Sequence, residues 1–510
     1  MTIDTRSLNA AIAVTRFGLG ARPGEIEAAS RDPHGWLKAQ IRREGADQPV
    51  GAALPTPPPF QAAAPQAATT SVAAAAPMAD AAMTAGAMTP PSAPQPAHLT
   101  FAPGQTLPSM QDSFRVFADY RQQNRLAKDD PEARKRAVTP LYIQAGEEIL
   151  ARTQLAAATS AGFRERWSLF WANHFTMAAR GLPETVAVGP FEREAIRPHV
   201  FGRFEELLAA ASSHPGMLLY LDQTQSIGPN SPVGIKRAGK VGLNENLGRE
   251  ILELHTVGAD AGYTQADVTE FARALTGWSM GRGEVAAEQE GAFLYRANIH
   301  EPGPRTIMGR TYPDTGRDQA LAVLRDLAAS PHTADHLARK IAIHFVADDP
   351  PPALVARLRT AYLKSGGDLS QVASALIAAP EAWDPTPRKF KTPYEYLVSS
   401  YRAADVSPRD PAREIVGPLG ALGMRPFTAP QPNGWSEMAA DWAAPDAVVK
   451  RLTWAQGFAS SFAPQTPPPD EARAVLGARL GARTLTAVSR AETRPEAFAI
   501  LLMSPEFQRR

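Results

Sequence analysis

Cysteine is absent from all 510 residues. That single absence removes disulfides, thiolate metal sites and cysteine nucleophiles, and it is compatible with any redox compartment. Net charge is nearly absent as well. Lys+Arg number 53 against Asp+Glu 52, a formal charge of +1, so the chain carries no broad electrostatic footprint for nucleic acid or an anionic membrane. Nor does any run approach the roughly 20 apolar residues of a spanning helix; the nearest, FEELLAAASSHPGMLLYL, is interrupted by Ser-Ser-His-Pro-Gly. The first residues offer only a short apolar patch, Ala10 to Val14, without the basic flank or twin arginine of an export signal. The location expected from this is cytoplasmic, or periplasmic if a signal-bearing partner carries the chain out. Several catalytic signatures are missing too: G-x-S-x-G, a P-loop, H-E-x-x-H, the paired E-x-x-H of di-iron bundles and the EF-hand loop. The stretch RFGLGARPG does contain Gly18, Gly20 and Gly24. A helical segment precedes it and Arg22-Pro23 intervenes, so a structural turn is expected rather than a dinucleotide loop.

What is present is an ordinary globular composition, 44% hydrophobic and 21% charged, in a chain long enough for a sizeable core. Residues 1–48 read as a helical segment that packs on the main body. Proline and alanine dominate the next stretch, 49–108, which lacks the large apolar surface needed to offset its ordering entropy and reads as a disordered insertion. Helical periodicity returns for a core over 109–463, and a second proline-rich break, APQTPPPDE, precedes a C-terminal helical segment, 464–510. The expected fold is mainly α: a large orthogonal or bundle-like multi-helix body with one small β-hairpin. The hairpin is placed in GAFLYRANIHEPGPRTIMGRTY, two alternating runs around Glu-Pro-Gly-Pro.

The most polar of the buried-looking segments is NENLGREILELHTVG. At 100° per residue Asn246, Glu250 and Glu253 form one stripe beside an apolar stripe of Leu247, Ile251 and Leu254. His255 is off that stripe, in the last turn, where an imidazole can cap carbonyls or join a site. In GYTQADVTEFARALTGW, Thr264 and Asp267 fit an N-cap with an acidic N3 residue, and Val268, Phe271, Leu275 and Trp278 make a second buried stripe. The resulting helical hairpin gathers Glu250, Glu253, Glu270, Arg249 and Arg273. Such a set is either a salt-bridge lattice locking two helices or a polar cleft with these residues and His255 as catalytic groups. His174, on the aromatic helix RWSLFWANHFT, and His300 could complete it. With Glu250 and Glu253 they would form a site of carboxylate and imidazole ligands, the types suited to a divalent metal such as Fe, Mn or Zn. Elsewhere blander readings lead. His336, Lys340 and His344 share a stripe that reads as a solvated helical face; Arg388, Lys389 and Lys391 of RKFKTP read as surface charge.

The ordered motifs WANHFT, HPGMLLYLDQTQS, NENLGREILELHTVGADAGYTQADVTEFARALTGW, HEPGPRTIMG, LARKIAIHFVADDPPP, RKFKTPYEYLVSSYRA and PNGWSE resemble the DUF1800 family of bacterial proteins. The resemblance implies a largely α-helical protein of undefined biochemical function, often encoded beside a DUF1501, sulfatase-like protein. Ala172 departs from it, standing where a histidine often precedes the Asn-His pair. Two functional readings follow: an enzyme with its cleft on the 244–278 hairpin, or a non-catalytic helical partner, an export or assembly companion of a DUF1501-like protein. The convergence of ionisable groups on one hairpin favours the first.

Overall fold

A computed structural model of the protein describes residues 4–42, 107–237, 240–283 and 289–510. The Pro/Ala-rich insertion expected over 49–108 lies outside the described residues except for Leu107 and Pro108. Helices dominate, and among the described residues none is long and apolar enough to cross a membrane.

Two large hydrophobic cores organise the described residues, beside a small cluster of Ala10, Val14, Ala21 and Ala29. The first surrounds the helix Gly162–His174, whose Phe163, Trp167, Phe170 and Trp171 are all buried. Phe17 and Phe345 pack on these rings, and Phe201 stacks on Trp167. Aromatic side chains of this size dominate the apolar area a helical body can hide. The second core is built on the helices Pro393–Ala403, Pro445–Phe462 and Arg494–Met503, with Tyr401 edge-on to Phe458 and Leu19 and Ile149 reaching in from the earlier chain. It runs across position 463/464, where the composition changes. The glycine-rich stretch near the start is a turn leading from a helical segment, as its sequence suggests. Gly20 has φ +98°, and a Cβ there would lie 2.7 Å from Ser399 Cβ, so glycine is needed for the close approach.

The helical hairpin forms. Its first arm is α-helical over Asn246–Glu250 and π-wound over Ile251–His255; its second arm, Gln265–Leu275, opens on a reciprocal capping box between Thr264 and Asp267. Among the described residues the small β-structure forms two separate antiparallel strand pairs rather than one hairpin. Phe293–Tyr295 turns back to pair with Trp278–Met280, and Arg305–Ile307 pairs with Arg310–Tyr312. Pro302 and Pro304 have no N–H to give a ladder. A tight turn at Met308 (φ +48°) and Gly309 (φ +77°) instead closes the later run on itself. Asp267 accepts a hydrogen bond from Met308 N at 2.6 Å, tying that turn to the helical hairpin.

Candidate functional site around the Trp435 loop

The aromatic helix ends by delivering Asn173 and His174 to opposite partners. The Asn173 amide pairs with both backbone groups of Trp435: Nδ2 donates to its carbonyl at 2.9 Å and Oδ1 accepts from its N–H at 2.8 Å. The neighbouring Gly434 has φ +86°, and a Cβ on it would lie 2.5 Å from the Asn173 carbonyl oxygen. Only glycine admits so close an approach in that conformation. The loop is completed by Trp442, whose Nε1 donates to the Ser436 carbonyl at 2.9 Å and whose ring lies 6.1 Å from that of Trp435. The two tryptophans pack at the turn, and their rings meet there.

Glu437, two residues on, meets the helix Pro331–Phe345. The solvated face expected for His336, Lys340 and His344 is instead partly covered: His344 is buried and His336 and Lys340 are half-buried, with the end of the π-wound arm against His336 and the Trp435 loop against His344. His336 Nε2 lies 3.1 Å from the Leu254 carbonyl. His344 Nδ1 lies 2.8 Å from Glu437 Oε1, and Arg166 Nε lies 3.2 Å from His344 Nε2. An arginine can only donate, so His344 accepts on Nε2 and carries its proton on Nδ1, facing Glu437. Burial, with Arg166 and Arg510 nearby, holds the imidazole below its ordinary pKa and therefore neutral. Burial also opposes ionisation of Glu437, but His344 beside it and Lys389 further off hold its pKa at about 2. Glu437 Oε2 is buried and has no hydrogen-bond partner.

Beneath this pair lies a knot of buried charge where the two cores meet. Glu395 occupies the N3 position of a capping box opened by Thr392, and it lies 2.8 Å from Arg166 and 2.8 Å from Arg510. Although burial works against it, these two guanidiniums hold the carboxyl far below the usual carboxylate range. Arg166 is itself lowered to about 9 by burial and by Arg510. Lys389 and Lys391, expected at the surface, are buried. Lys389 donates to Asp348 and to the Glu437 carbonyl, and Lys391 donates to Ser399 Oγ at 3.0 Å. Each finds an acceptor inside, which is what permits burial. Arg388 remains exposed, paired with Asp384 at 2.9 Å.

Two cavities flank Glu437. An inner one of about 110 Å³ has apolar walls, including Leu169, Val188 and Phe427, with Arg152, Arg166, His344 and Tyr394 among its polar groups. An outer, solvent-open cleft of about 580 Å³ is lined by Phe170, His174, Lys340, Trp435, Glu437 and Trp442. Lys340 makes no hydrogen bond or ion pair with a described residue. Burial lowers its pKa to about 8, against the opposing pull of Glu437.

The residues singled out on the hairpin are distributed differently. Arg249 pairs with Glu245 at 3.0 Å and donates to Gln265 at 2.9 Å. Glu270 pairs with Arg273 and, at 3.3 Å, with Arg305. Glu253 accepts from the Tyr263 hydroxyl at 3.4 Å. Glu250 is half-buried, its pKa raised by burial and by Glu253. His255 does not cap the helix: it is buried, both ring nitrogens lack hydrogen-bond partners, and burial with Lys340 and His336 nearby drops its pKa to about 3. His174 reaches the hairpin through the backbone, with Nε2 3.2 Å from the His255 carbonyl. His300 does likewise at the other arm, with Nδ1 2.8 Å from the Thr276 carbonyl and Nε2 3.5 Å from Asp314. Neither histidine hydrogen-bonds Glu250 or Glu253, and no three His, Asp or Glu side chains among the described residues are arranged to hold a metal ion.

Sequence reasoning missed Arg166, Glu395 and Glu437 as members of one site. The signal available for Glu395 was the Thr-x-x-Glu spacing of KTPYEY, a capping box that places a carboxylate at a helix start.

The architecture is that of a mainly α-helical protein with a buried Arg/Glu/His network under an aromatic loop. The chain belongs to the family described as protein of unknown function (DUF1800), whose model matches residues 12–509. No curated protein and no solved structure matches it.

Proposed function

We propose that the protein is an enzyme acting on a small polar molecule held in the cleft beside the Trp435 loop, with Glu437 as the group that meets the substrate. The observation that carries this reading is the free, buried Glu437 Oε2, whose sister oxygen is positioned by His344. Buried carboxylate oxygens are costly to leave without a donor, and a substrate hydroxyl or ammonium supplies one. With its pKa at about 2, Glu437 stays ionised near neutrality. It therefore serves as a hydrogen-bond acceptor or as the counter-charge to a centre that becomes positive, and not as a proton donor. Asn173 and His344 act as positioning residues. The hairpin reads as scaffold, since Arg249, Glu270 and Arg273 pair with neighbours on or beside it.

The test is a screen of small hydroxylated and amino compounds for stabilisation of the wild type and of Glu437→Gln, with near-ultraviolet circular dichroism confirming the fold of both. Compounds that raise the melting temperature of the wild type should lose the effect in the variant. Equal effects on both proteins would end this reading.

A second reading, a non-catalytic partner of a DUF1501-like protein, draws support from one feature. Val448, Val449 and Leu452 are exposed along the helix Pro445–Phe462, an apolar grouping of the kind that protein contacts cover. Substituting all three with Lys or Glu should abolish co-purification with such a protein if that reading holds.

A further inference from the structure

We propose that Lys340 anchors an anionic group, a carboxylate or a phosphate, on the ligand of the outer cleft. The inference rests on the reading of Glu437 given above, and adds the class of ligand.

The argument begins with a comparison among lysines. Lys389 and Lys391 are withdrawn from water and each finds an oxygen acceptor. Lys340 is half-buried against the same structure and finds none. An ammonium has three donors and no acceptor capacity, so leaving it unpaired in a partly dry site costs free energy that an anion would recover.

Its neighbours cannot supply the missing charge. His174 and His336 each direct one ring nitrogen at a backbone carbonyl, of His255 and Leu254 respectively. His255 is buried beside them, its ring 6.0 Å from that of His174. All three are held neutral by burial, with the positive Lys340 adding to the effect. The carboxylate that pulls on Lys340 is Glu437, and that oxygen pair is engaged with His344 on one side only. His174, 2% exposed, also lines the cleft, and its Nδ1 has no partner. The cleft is thus lined by an unpaired cation and by two residues, His174 and Glu437, each with an unpaired polar atom buried in the wall, beside the rings of Phe170, Trp435 and Trp442.

A simple anion satisfies Lys340 but is repelled by Glu437. A molecule that carries a carboxylate or phosphate together with a hydroxyl or amine satisfies both. The lowered pKa of Lys340, about 8, is consistent with a cation awaiting its counter-charge, since a bound anion raises it again.

The experiment uses the full chain with lysines reductively methylated with ¹³C-formaldehyde, which preserves their charge. The Lys340 signal is assigned as the one missing from Lys340→Arg. Four probes are titrated at neutral pH: acetate, glycolate, inorganic phosphate and glycerol phosphate. We expect the Lys340 signal to move saturably with one pair. Within that pair the hydroxylated member should bind about tenfold tighter, equivalent to ~1.4 kcal/mol. Which pair responds distinguishes carboxylate from phosphate. In Glu437→Gln the tenfold preference should vanish while the simple anion binds at least as well. If no probe moves the Lys340 signal at tens of millimolar, the inference is overturned, and a neutral ligand that still depends on Glu437 would leave the functional reading standing alone. If simple and hydroxylated anions bind Lys340 equally in both proteins, the anion site stands and the role given to Glu437 falls.

Discussion

Asn173 and Trp435, 262 positions apart, are joined by a two-bond clamp: one side-chain amide both donates to and accepts from the backbone of one loop residue. The clamp fixes the loop that carries Glu437, with Gly434 allowing the approach. Replacing Asn173 by Leu keeps the branching at Cγ and removes both bonds, leaving two part-buried backbone groups without partners. The loss should be about 2–4 kcal/mol, from ~1–3 kcal/mol for each stranded group less what water recovers. The expected signature is local: the Trp435 amide should exchange with deuterium far faster while the amides of the Trp167 helix keep their protection. Uniform loss of protection would show that the clamp holds the whole body together.

Glu395 neutralises two arginines at once, so its replacement is expected to be severe. In Glu395→Gln, Arg166 and Arg510 keep their charge and lose their counter-charge, a situation that typically costs about 3–5 kcal/mol. Urea unfolding at pH 7 measures it. Acid should mimic the change. Glu395 and Glu437 both have folded pKa values depressed below the ordinary 4.5, Glu437 to about 2. Their contribution is therefore complete above about pH 5 and is lost as pH falls toward 2. In Glu395→Gln the wild-type loss over that interval should shrink.

How much of this was legible beforehand depends on the distance over which each feature is specified. The Thr264–Asp267 capping box, the buried stripe from Val268 to Leu275 and the turn at Gly18–Gly24 are local, set by spacing alone, and they form as read. The Glu250–Glu253 stripe assumed 3.6 residues per turn. The chain is π-wound from Ile251 to His255, which turns successive side chains through a smaller angle and alters the faces calculated for Glu253 and His255. The charge knot was illegible for another reason. Lys389 and His344 belong to types that default to solvent, and only partners 41 and 93 positions away, Asp348 and Glu437, make their burial tolerable. No spacing rule reaches across such intervals, although Phe390 between Lys389 and Lys391 gives the alternation of a short extended segment, as its bridge to Arg509 confirms.

The hairpin charges offer a discriminating measurement. Glu270 and Arg273 are only partly buried, and exposed or half-exposed pairs contribute about 0–1 kcal/mol. Glu270→Gln should therefore cost less than about 1 kcal/mol. Glu250→Gln should be neutral or slightly stabilising, because it removes a half-buried charge that Glu253 already disfavours. A loss of several kcal/mol in either variant, measured by urea unfolding, would show the lattice to be far more tightly coupled than its geometry suggests.

His255 gives the sharpest test, because its two ring nitrogens are buried without a hydrogen bond and nothing else in its surroundings requires an imidazole. Leaving a polar atom unsatisfied costs about 1–3 kcal/mol, so His255→Phe, of similar shape, should hold stability level or raise it by about 1 kcal/mol at pH 7.5. The pH dependence is the stronger readout. His255 and His336 have folded pKa values of about 3 and about 4, both depressed below the ordinary 6.5, with burial the main cause and Lys340 the next. Between those values and 6.5 the unfolded chain binds protons that the folded chain refuses. Stability should therefore be greatest above pH 6.5 and fall on acidification, each such group adding a slope of up to about 1.4 kcal/mol per pH unit. His255→Phe removes one of these groups, so its urea midpoint should fall less steeply between pH 6.5 and 4 than that of the wild type. Parallel curves for the two proteins would mean that His255 takes up its proton in the folded state as readily as in the unfolded one, and that the cluster with His174, His336 and Lys340 is wetter than its burial implies.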